Sequence, residues 1–334
     1  MILLFILTIL VSLFIINHSR TEFVGCFDNK FLRPIRGILA LLICWHPISL
    51  ECISYGTIYQ EFRLWGGVIV GQFFFISGYG LFYSWSHKDG YLKSFLSRSF
   101  KKLFVPFAVV LSLYVVITYL NGCMHGNLMN MIIPYSGITY LPKSWFVYEL
   151  MLLYIMFYYI FRLKIDVIRK LSVLLLICVL LIALLVILGY GSNWYVSTLA
   201  FPIGMIYSYK EKYILHNLKL CIYGTISVIL ILFVCYFVIL NIFKKDILYP
   251  MLNISLPLLL PMIAYKCKYF KSTVLDFFGS ISYEVYLVHG IFVIWFLPYK
   301  SHSFVYIFSV YASSLLIAYV VAKIDKWLIS KFLK

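Results

Sequence analysis

Residues 171–190 read LSVLLLICVLLIALLVILGY, a run of twenty residues without a charged side chain. A helix of this length rises about 30 Å, which is the thickness of the hydrocarbon core of a bilayer. The whole 334-residue chain has the same character, because 63% of it is hydrophobic and only 12% is charged. A soluble domain carries about 25% charged residues. The composition therefore excludes a water-soluble globule and predicts a multi-pass membrane protein.

Apolar runs of spanning length recur along the chain, which predicts an all-α, polytopic bundle of about 10–11 transmembrane helices. No basic residue precedes the first run and no small-residue cleavage site follows it, so we expect a retained helix there and not a signal peptide. No soluble domain interrupts the series, which predicts one membrane domain over 1–334. The predicted spans are 1–17, 36–54, 65–84, 103–120, 144–161, 171–190, 194–209, 220–241, 247–265, 279–298 and 303–322.

The basic residues predict how the chain is oriented. With spans that alternate in direction, 23 of the 28 Lys and Arg residues fall on one side, and that side is expected to be cytoplasmic. The N-terminus is then outside and the C-terminus inside a cell membrane, either plasma or inner. Orientation accounts for the net charge of +16, so we expect no nucleic-acid partner. The eight cysteines lack metal-ligand spacing, so we expect no metal site.

Ionisable side chains inside the spans are the first candidates for function, because a charged group there costs about 2.5–3.5 kcal/mol on insertion scales. Such groups normally face a protein interior or a watery cavity. Asp276 lies just before the tenth span. The groups within the spans are Arg36, His46, Glu51, Glu149, Glu284 and His289.

Arg36 and His46 share the second predicted span, ten residues apart. This spacing corresponds to ~15 Å of axial rise and about 80° of rotation. Arg36 is then expected near the cytoplasmic boundary and His46 about half-way across. A neutral imidazole at that depth can accept a proton from a hydroxyl. The alternative is a structural histidine that bonds a backbone carbonyl or a hydroxyl.

Three other spans supply further candidates. Ser77 and Tyr79 lie in a glycine-containing segment, 71–80, whose small residues favour either close helix packing or ligand approach. The fifth span, predicted from 144, carries Trp145 at its start and Glu149 about one turn and a half deep. This carboxylate could hold or orient His46, or it could be a protonated packing residue.

The tenth span places Ser282, Tyr286 and His289 at i, i+4 and i+7, so they share one helix face. This pattern predicts a polar or wet interior contact. Glu284 and His289 are therefore candidate pore residues. A catalytic role for His289 and a role as polar contacts between helices are the other interpretations.

Five segments in the same order resemble the acyltransferase-3 family of integral-membrane acyltransferases, which O-acetylate cell-surface glycans. The resemblance covers about 30–322 and leaves 1–17 as an additional N-terminal helix; 32–37 read LRPIRG where the family commonly has L-D-x-L-R-G. The matching segments are Arg36 to His46, Phe74–Tyr79 (FFISGY), the basic stretch Arg98 to Pro106, Trp145–Leu150 (W-F-x-x-x-L) and Gly279–His289 (G-x-[IL]-S-Y-x-x-Y-L-x-H).

The resemblance implies acetyl-CoA as a co-substrate delivered from the cytoplasm and an acceptor hydroxyl on a surface or lipid-linked polysaccharide. It also implies essential roles for Arg36 and His46. Arg98 and Lys102 belong to a cytoplasmic basic cluster that could bind the nucleotide, although orientation explains the cluster equally well. Ser77 is conceivable as an acyl carrier.

The function predicted from the sequence is therefore a membrane-embedded O-acetyltransferase with His46 as general base, Arg36 as donor anchor and Glu149 beside them. A transporter or flippase for a lipid-linked glycan is the principal alternative, since it also needs a polar pore. A glycan polymerase and a non-catalytic scaffold are further alternatives. The longest predicted outside loop, 121–143, is short for a polymerase.

Overall fold

A computed structural model describes the chain over 29–52, 65–120, 145–217, 256–258, 272–301 and 303–332, with the single residues 56, 59 and 62. Within these ranges the chain is helical and forms no strand, which confirms the predicted all-α class. The helices described are α1 (Asn29–Glu51), α2 (Trp65–His87), α3 (Phe95–Leu120), α4 (Trp145–Arg162), α5 (Val167–Ile187), α6 (Ala200–His216), α7 (Thr273–Ser280), α8 (Ser282–Trp295) and α9 (Ser303–Phe332).

Five of the described helices are long and apolar enough to cross a membrane, namely α2, α3, α4, α5 and α9. The pair α7 and α8, bent by 75°, makes a sixth if it is one span. Helix α1 has 23 residues, but Arg36 and His46 lower its hydropathy. The predicted spans 1–17 and 220–241 lie outside the described residues, as does most of 247–265.

Several predicted boundaries differ from the helices. Helix α3 begins at Phe95 and not at 103, so the basic stretch is helical and Pro106 lies inside the helix. The predicted span 194–209 is replaced by a 3-10 turn, Ser192–Trp194, followed by α6. Helix α9 continues ten residues beyond the predicted end at 322. The extensions of α3 and α9 each keep a buried residue, Phe95 and Asp325 respectively, so one face of the helix is still packed there.

The described helices divide between two compact units. The first contains α2, α5, α6 and the C-terminal half of α4. Its tightest contact is the crossing of α2 and α6, where a Cβ on Gly78 would lie 2.0 Å from the Phe201 carbonyl oxygen. A Cβ on Gly204 would lie 2.2 Å from the Phe75 carbonyl oxygen. The absence of side chains at both glycines therefore lets the two backbones touch.

Lys170 ties three helices of the first unit together. It is 7% exposed, and its ammonium donates a hydrogen bond to the Phe161 carbonyl at 3.2 Å. The same ammonium lies 4.9 Å from the Trp85 ring centroid, within the range of a cation–π interaction. A buried cation is thus stabilised by one carbonyl at the end of α4 and one ring on α2.

The second unit contains most of α1, α3, the N-terminal half of α4, and α7, α8 and α9. A Cβ on Gly37 would lie 2.2 Å from the Leu275 carbonyl oxygen, so α1 and α7 are in backbone contact. Tyr311 of α9 donates to the Leu41 carbonyl at 2.8 Å. A core cluster joins α1, α8 and α9 through Ile48, Cys52, Val293, Tyr306 and Val310.

Two serine hydroxyls accompany the bend between α7 and α8. Ser280 Oγ donates to the Phe277 carbonyl at 2.7 Å, and Ser282 Oγ donates to the Gly279 carbonyl at 3.0 Å. These bonds satisfy carbonyls at the end of α7, where the backbone has no helical donors left. The two serines therefore supply donors to two of the carbonyls at the bend.

Candidate functional site

Helix α1 positions Arg36 and His46, and both side chains are half-buried. The helix is anchored near each of them: Gly37 contacts α7, and Ile48 lies in the core shared with α8 and α9. Ala40 and Cys44, one and two turns from Arg36, are fully buried. The spacing of Arg36 and His46 along the axis is therefore fixed by the packing of α1.

Trp45, the neighbour of His46 on α1, is held by two aromatic rings. Trp45 stacks on Tyr59 with ring centroids 5.7 Å apart, and Phe62 meets it edge-on at 6.2 Å. Ser49 Oγ donates to the His46 carbonyl at 2.6 Å. These contacts fix the backbone and the orientation of the helix at His46.

The polar stripe of α8 faces the interior of the second unit, as its spacing predicts. Ser282, Tyr286 and His289 are 8%, 5% and 2% exposed. His289 Nδ1 is hydrogen-bonded to the Tyr286 carbonyl, and a carbonyl can only accept, so Nδ1 carries the proton. In the neutral ring the lone pair is then on Nε2, the nitrogen able to accept a proton or a hydrogen bond.

Helix α4 supplies the wall opposite this stripe. Trp145 and Phe146 are buried, and Glu149 is 4% exposed. The Phe146 ring lies 4.6 Å from that of Tyr286, and the Glu149 carboxylate is close enough to Tyr286 for an electrostatic interaction. The structure therefore brings Glu149 and His289 into one buried polar cluster with Tyr286 between them.

His46 and His289 both lie near the core shared by α1, α8 and α9. His46 precedes Ile48 of that core by about 3 Å of rise on α1, and His289 precedes Val293 by about 6 Å on α8. Each imidazole is therefore within about one turn of a residue of the same core cluster.

The remaining predicted residues lie elsewhere. Arg98 and Lys102 are exposed on the N-terminal part of α3, and Glu284 is half-buried on α8. Ser77 and Tyr79 belong to the first unit, where the Tyr79 hydroxyl donates to Glu211 at 2.9 Å. Gly78 between them packs against α6, which favours helix packing over ligand approach for this glycine.

Comparison with known proteins identifies the chain. The family model described as "Acyltransferase domain", Acyl_transf_3, matches residues 29–323. The chain belongs to the acyltransferase-3 family. No curated protein and no solved structure matches. The resemblance expected over about 30–322 is thus confirmed, and the protein is a membrane acyltransferase.

The geometry gives physical reasons for two of the family segments in this acyltransferase. Gly37, next to Arg36, is where α1 touches α7, and Gly78 is where α2 touches α6. Among the described residues no group of three His, Cys, Asp or Glu side chains could hold a metal ion.

One buried acid, Asp325, was not predicted from the sequence. Asp325 was expected in the cytoplasmic tail after 322, but it lies in α9 and is 3% exposed. It is within electrostatic range of Glu284 and of Tyr283. The signal that could have found it is the spacing of Val310, Ser314, Ala318 and Asp325, which places Asp325 on the buried face of α9.

Proposed function

We propose that this acyltransferase moves the acetyl group of acetyl-CoA from the cytoplasmic side to a hydroxyl of a surface or lipid-linked polysaccharide. The observation that carries the proposal is the match of the acyltransferase domain to residues 29–323. One compact unit holds both His46 and the buried polar cluster with Glu149 and His289. The same unit has basic side chains on α3, at the end that the charge distribution predicts to be cytoplasmic.

His46 is assigned the role of general base. The acceptor oxygen bonds to the thioester carbonyl carbon as His46 takes the hydroxyl proton, and the C–S bond breaks. His46 then passes that proton to the departing CoA thiolate, so the enzyme ends the cycle unchanged. A positioned base of this kind contributes about 10²–10⁴-fold to a rate.

Arg36, Arg98 and Lys102 are assigned to the anionic end of the donor, since guanidinium and ammonium groups bind phosphates. Arg36 is ~15 Å of axial rise from His46. Such a separation suits a donor whose phosphates and thioester lie at opposite ends of a long arm. Glu149 is assigned to stabilise the imidazolium formed at His46, while Trp145, Glu284 and His289 line the path. The pore role predicted for Ser77 and Tyr79 stays a prediction, since both belong to the first unit.

Thioester consumption tests the proposal. Membranes that contain the protein should release free CoA from acetyl-CoA when acceptor glycan is present, and should transfer labelled acetyl to that glycan. A transporter would leave acetyl-CoA intact while glycan crosses the membrane. Comparing the acetyl content of surface glycans with and without the gene identifies the acceptor.

The proposed orientation has the N-terminus outside and the C-terminus in the cytoplasm of a plasma or inner membrane. It is supported by the 23 of 28 basic residues that share one side. A cysteine-labelling experiment at the exposed Asp89, changed to Cys, should give reaction only from the cytoplasmic side. Labelling from the outside would reverse the assignment of donor and acceptor faces.

A further inference from the structure

Asp325 occupies a core position on the last helix. The buried face of α9 runs from Val310 through Ser314 and Ala318 to Asp325, and each of these residues is at most 3% exposed. The neighbours on the other face, Lys326 and Trp327, are exposed. The carboxylate therefore points into the second unit and not toward lipid or water.

Neither oxygen of Asp325 has a hydrogen-bond partner among the described residues. A carboxylate removed from water without a donor is strongly disfavoured, so buried acids normally receive hydrogen bonds or face a cation. The basic residues beside it on α9 do not fill that role. Lys326 is exposed, and the Lys323 ammonium lies 5.4 Å from the centroid of the Tyr319 ring.

Among the described residues, the titratable groups near Asp325 offer it no uncommitted donor. Glu284 is a second carboxylate within electrostatic range, and the charge of Lys326 acts on Glu284. Tyr283 is also near, but its hydroxyl donates to the Leu103 carbonyl at 2.7 Å and is therefore committed. Asp325 is thus suited to a group that brings N–H or O–H donors.

The hydrogen bond from Tyr283 to Leu103 shows that the surroundings of Asp325 lie beside the basic part of α3. Leu103 follows Lys102 directly, and Phe95 of the same helix contacts Tyr154 of α4 with ring centroids 5.7 Å apart. Arg98 and Lys102, exposed between these two contacts, are the residues assigned above to the donor phosphates. Donor-binding cations and the buried acid thus lie on adjoining helices of one unit.

We propose that Asp325 accepts hydrogen bonds from the amide N–H and hydroxyl groups of the pantetheine arm of the acyl-CoA donor. The inference rests on the proposed function. The basic residues of α3 bind the phosphates, which are hydrogen-bond acceptors. Asp325 binds the neutral pantetheine arm, which carries hydrogen-bond donors. Asp325 is then a binding residue for the donor and leaves the chemistry to His46.

Three donors that lose successive parts of the molecule test the assignment. Asp325→Asn and Asp325→Ala are compared with wild type, and Asp89→Asn is the control for an exposed acid. With acetyl-CoA we expect the KM of the Asp325 variants to rise about ten-fold or more, because a hydrogen bond to a charged group is lost, while kcat changes little. Acetyl-pantetheine, which lacks the nucleotide, should show the same rise. S-acetyl-N-acetylcysteamine, which lacks most of the arm, should show a much smaller rise.

Binding of desulfo-CoA, the thiol-free analogue, to purified protein keeps the result separate from catalysis. We expect weaker binding to the Asp325 variants by the same factor, with Asp89→Asn unchanged. Equal binding, or an equal loss of kcat with all three donors at unchanged KM, would overturn the inference. If the wild type consumes no thioester the proposed function has failed, and desulfo-CoA binding alone then decides the role of Asp325. Asp325→Asn, close in shape to Asp, serves where Asp325→Ala does not fold.

Discussion

The crossing of α2 and α6 offers a matched pair of glycine substitutions. Gly78→Ala places a methyl carbon 2.0 Å from the Phe201 carbonyl oxygen and 2.9 Å from its carbonyl carbon. A carbon and a carbonyl oxygen normally approach to about 3.3–3.6 Å, so the helices must separate by more than ~1 Å here. Gly80, two residues along the same helix, has nothing within 4 Å of an added Cβ. Gly80→Ala is therefore the control.

The expected magnitude follows from this geometry. Overpacking costs about 1–3 kcal/mol, and Gly78→Ala should lie at the upper end, because the obstacle is backbone and cannot rotate away. Gly80→Ala should be neutral or stabilising by up to about 1 kcal/mol through helix propensity.

Thermal unfolding of the purified protein in detergent measures the difference. A loss of about 3 kcal/mol corresponds to a fall in Tm of roughly 6–12 °C, taken from domains of 150–250 residues. Gly78→Ala should show such a fall and Gly80→Ala should not. A Tm for Gly78→Ala equal to that of wild type, or an equal fall for both variants, would refute the packing argument.

Three further predictions concern α1, α5 and α3. Gly37→Ala should lower the Tm and should lower acetyl transfer by at least ten-fold, because an added Cβ would lie 2.2 Å from an α7 carbonyl oxygen and would shift the helix that carries the proposed base. A wild-type rate would contradict this. Lys170→Met should lower the free energy of unfolding by about 1–3 kcal/mol, because a buried carbonyl loses its donor. Exposed Lys164→Met is the control and should have no effect. Equal effects of the two variants on denaturation would show that the Lys170 ammonium does not stabilise the fold. The double variant Arg98→Gln with Lys102→Gln should raise the KM for acetyl-CoA several-fold at low salt and less at high salt. The KM for acetyl-pantetheine should not change. Kinetics that do not depend on salt would show that the two residues only orient the chain in the membrane.

Much of the architecture could be predicted from hydropathy alone, because lipid forces each span to satisfy its own backbone. The run 171–190 and the helix α5 that it contains illustrate this. The bend after Ser280 could not be predicted from the sequence, since serines also occur in straight helices. Only the hydrogen bonds of Ser280 and Ser282 to backbone carbonyls show how the bend is stabilised. The contact of Gly78 with Phe201 likewise depends on which helices meet.

The candidate site divides in the same way. The spacing of Tyr286 and His289 predicts a shared face from one helix, and the structure buries both. The pairing of that face with Glu149 required knowing that α4 lies against α8. Asp325 was missed because the hydropathy of 323–334 is low, whereas the helix continues there and a single face remains packed.

The central claim is that the half-buried imidazole of His46 transfers the proton between acceptor and donor. The most direct measurement is the rate of CoA release and glycan acetylation by His46→Ala, with exposed His87→Ala as the control. We expect His46→Ala to lose about 10²–10⁴-fold while its expression and Tm match the wild type, and His87→Ala to keep its activity. A His46→Ala rate within a few-fold of wild type would contradict the account.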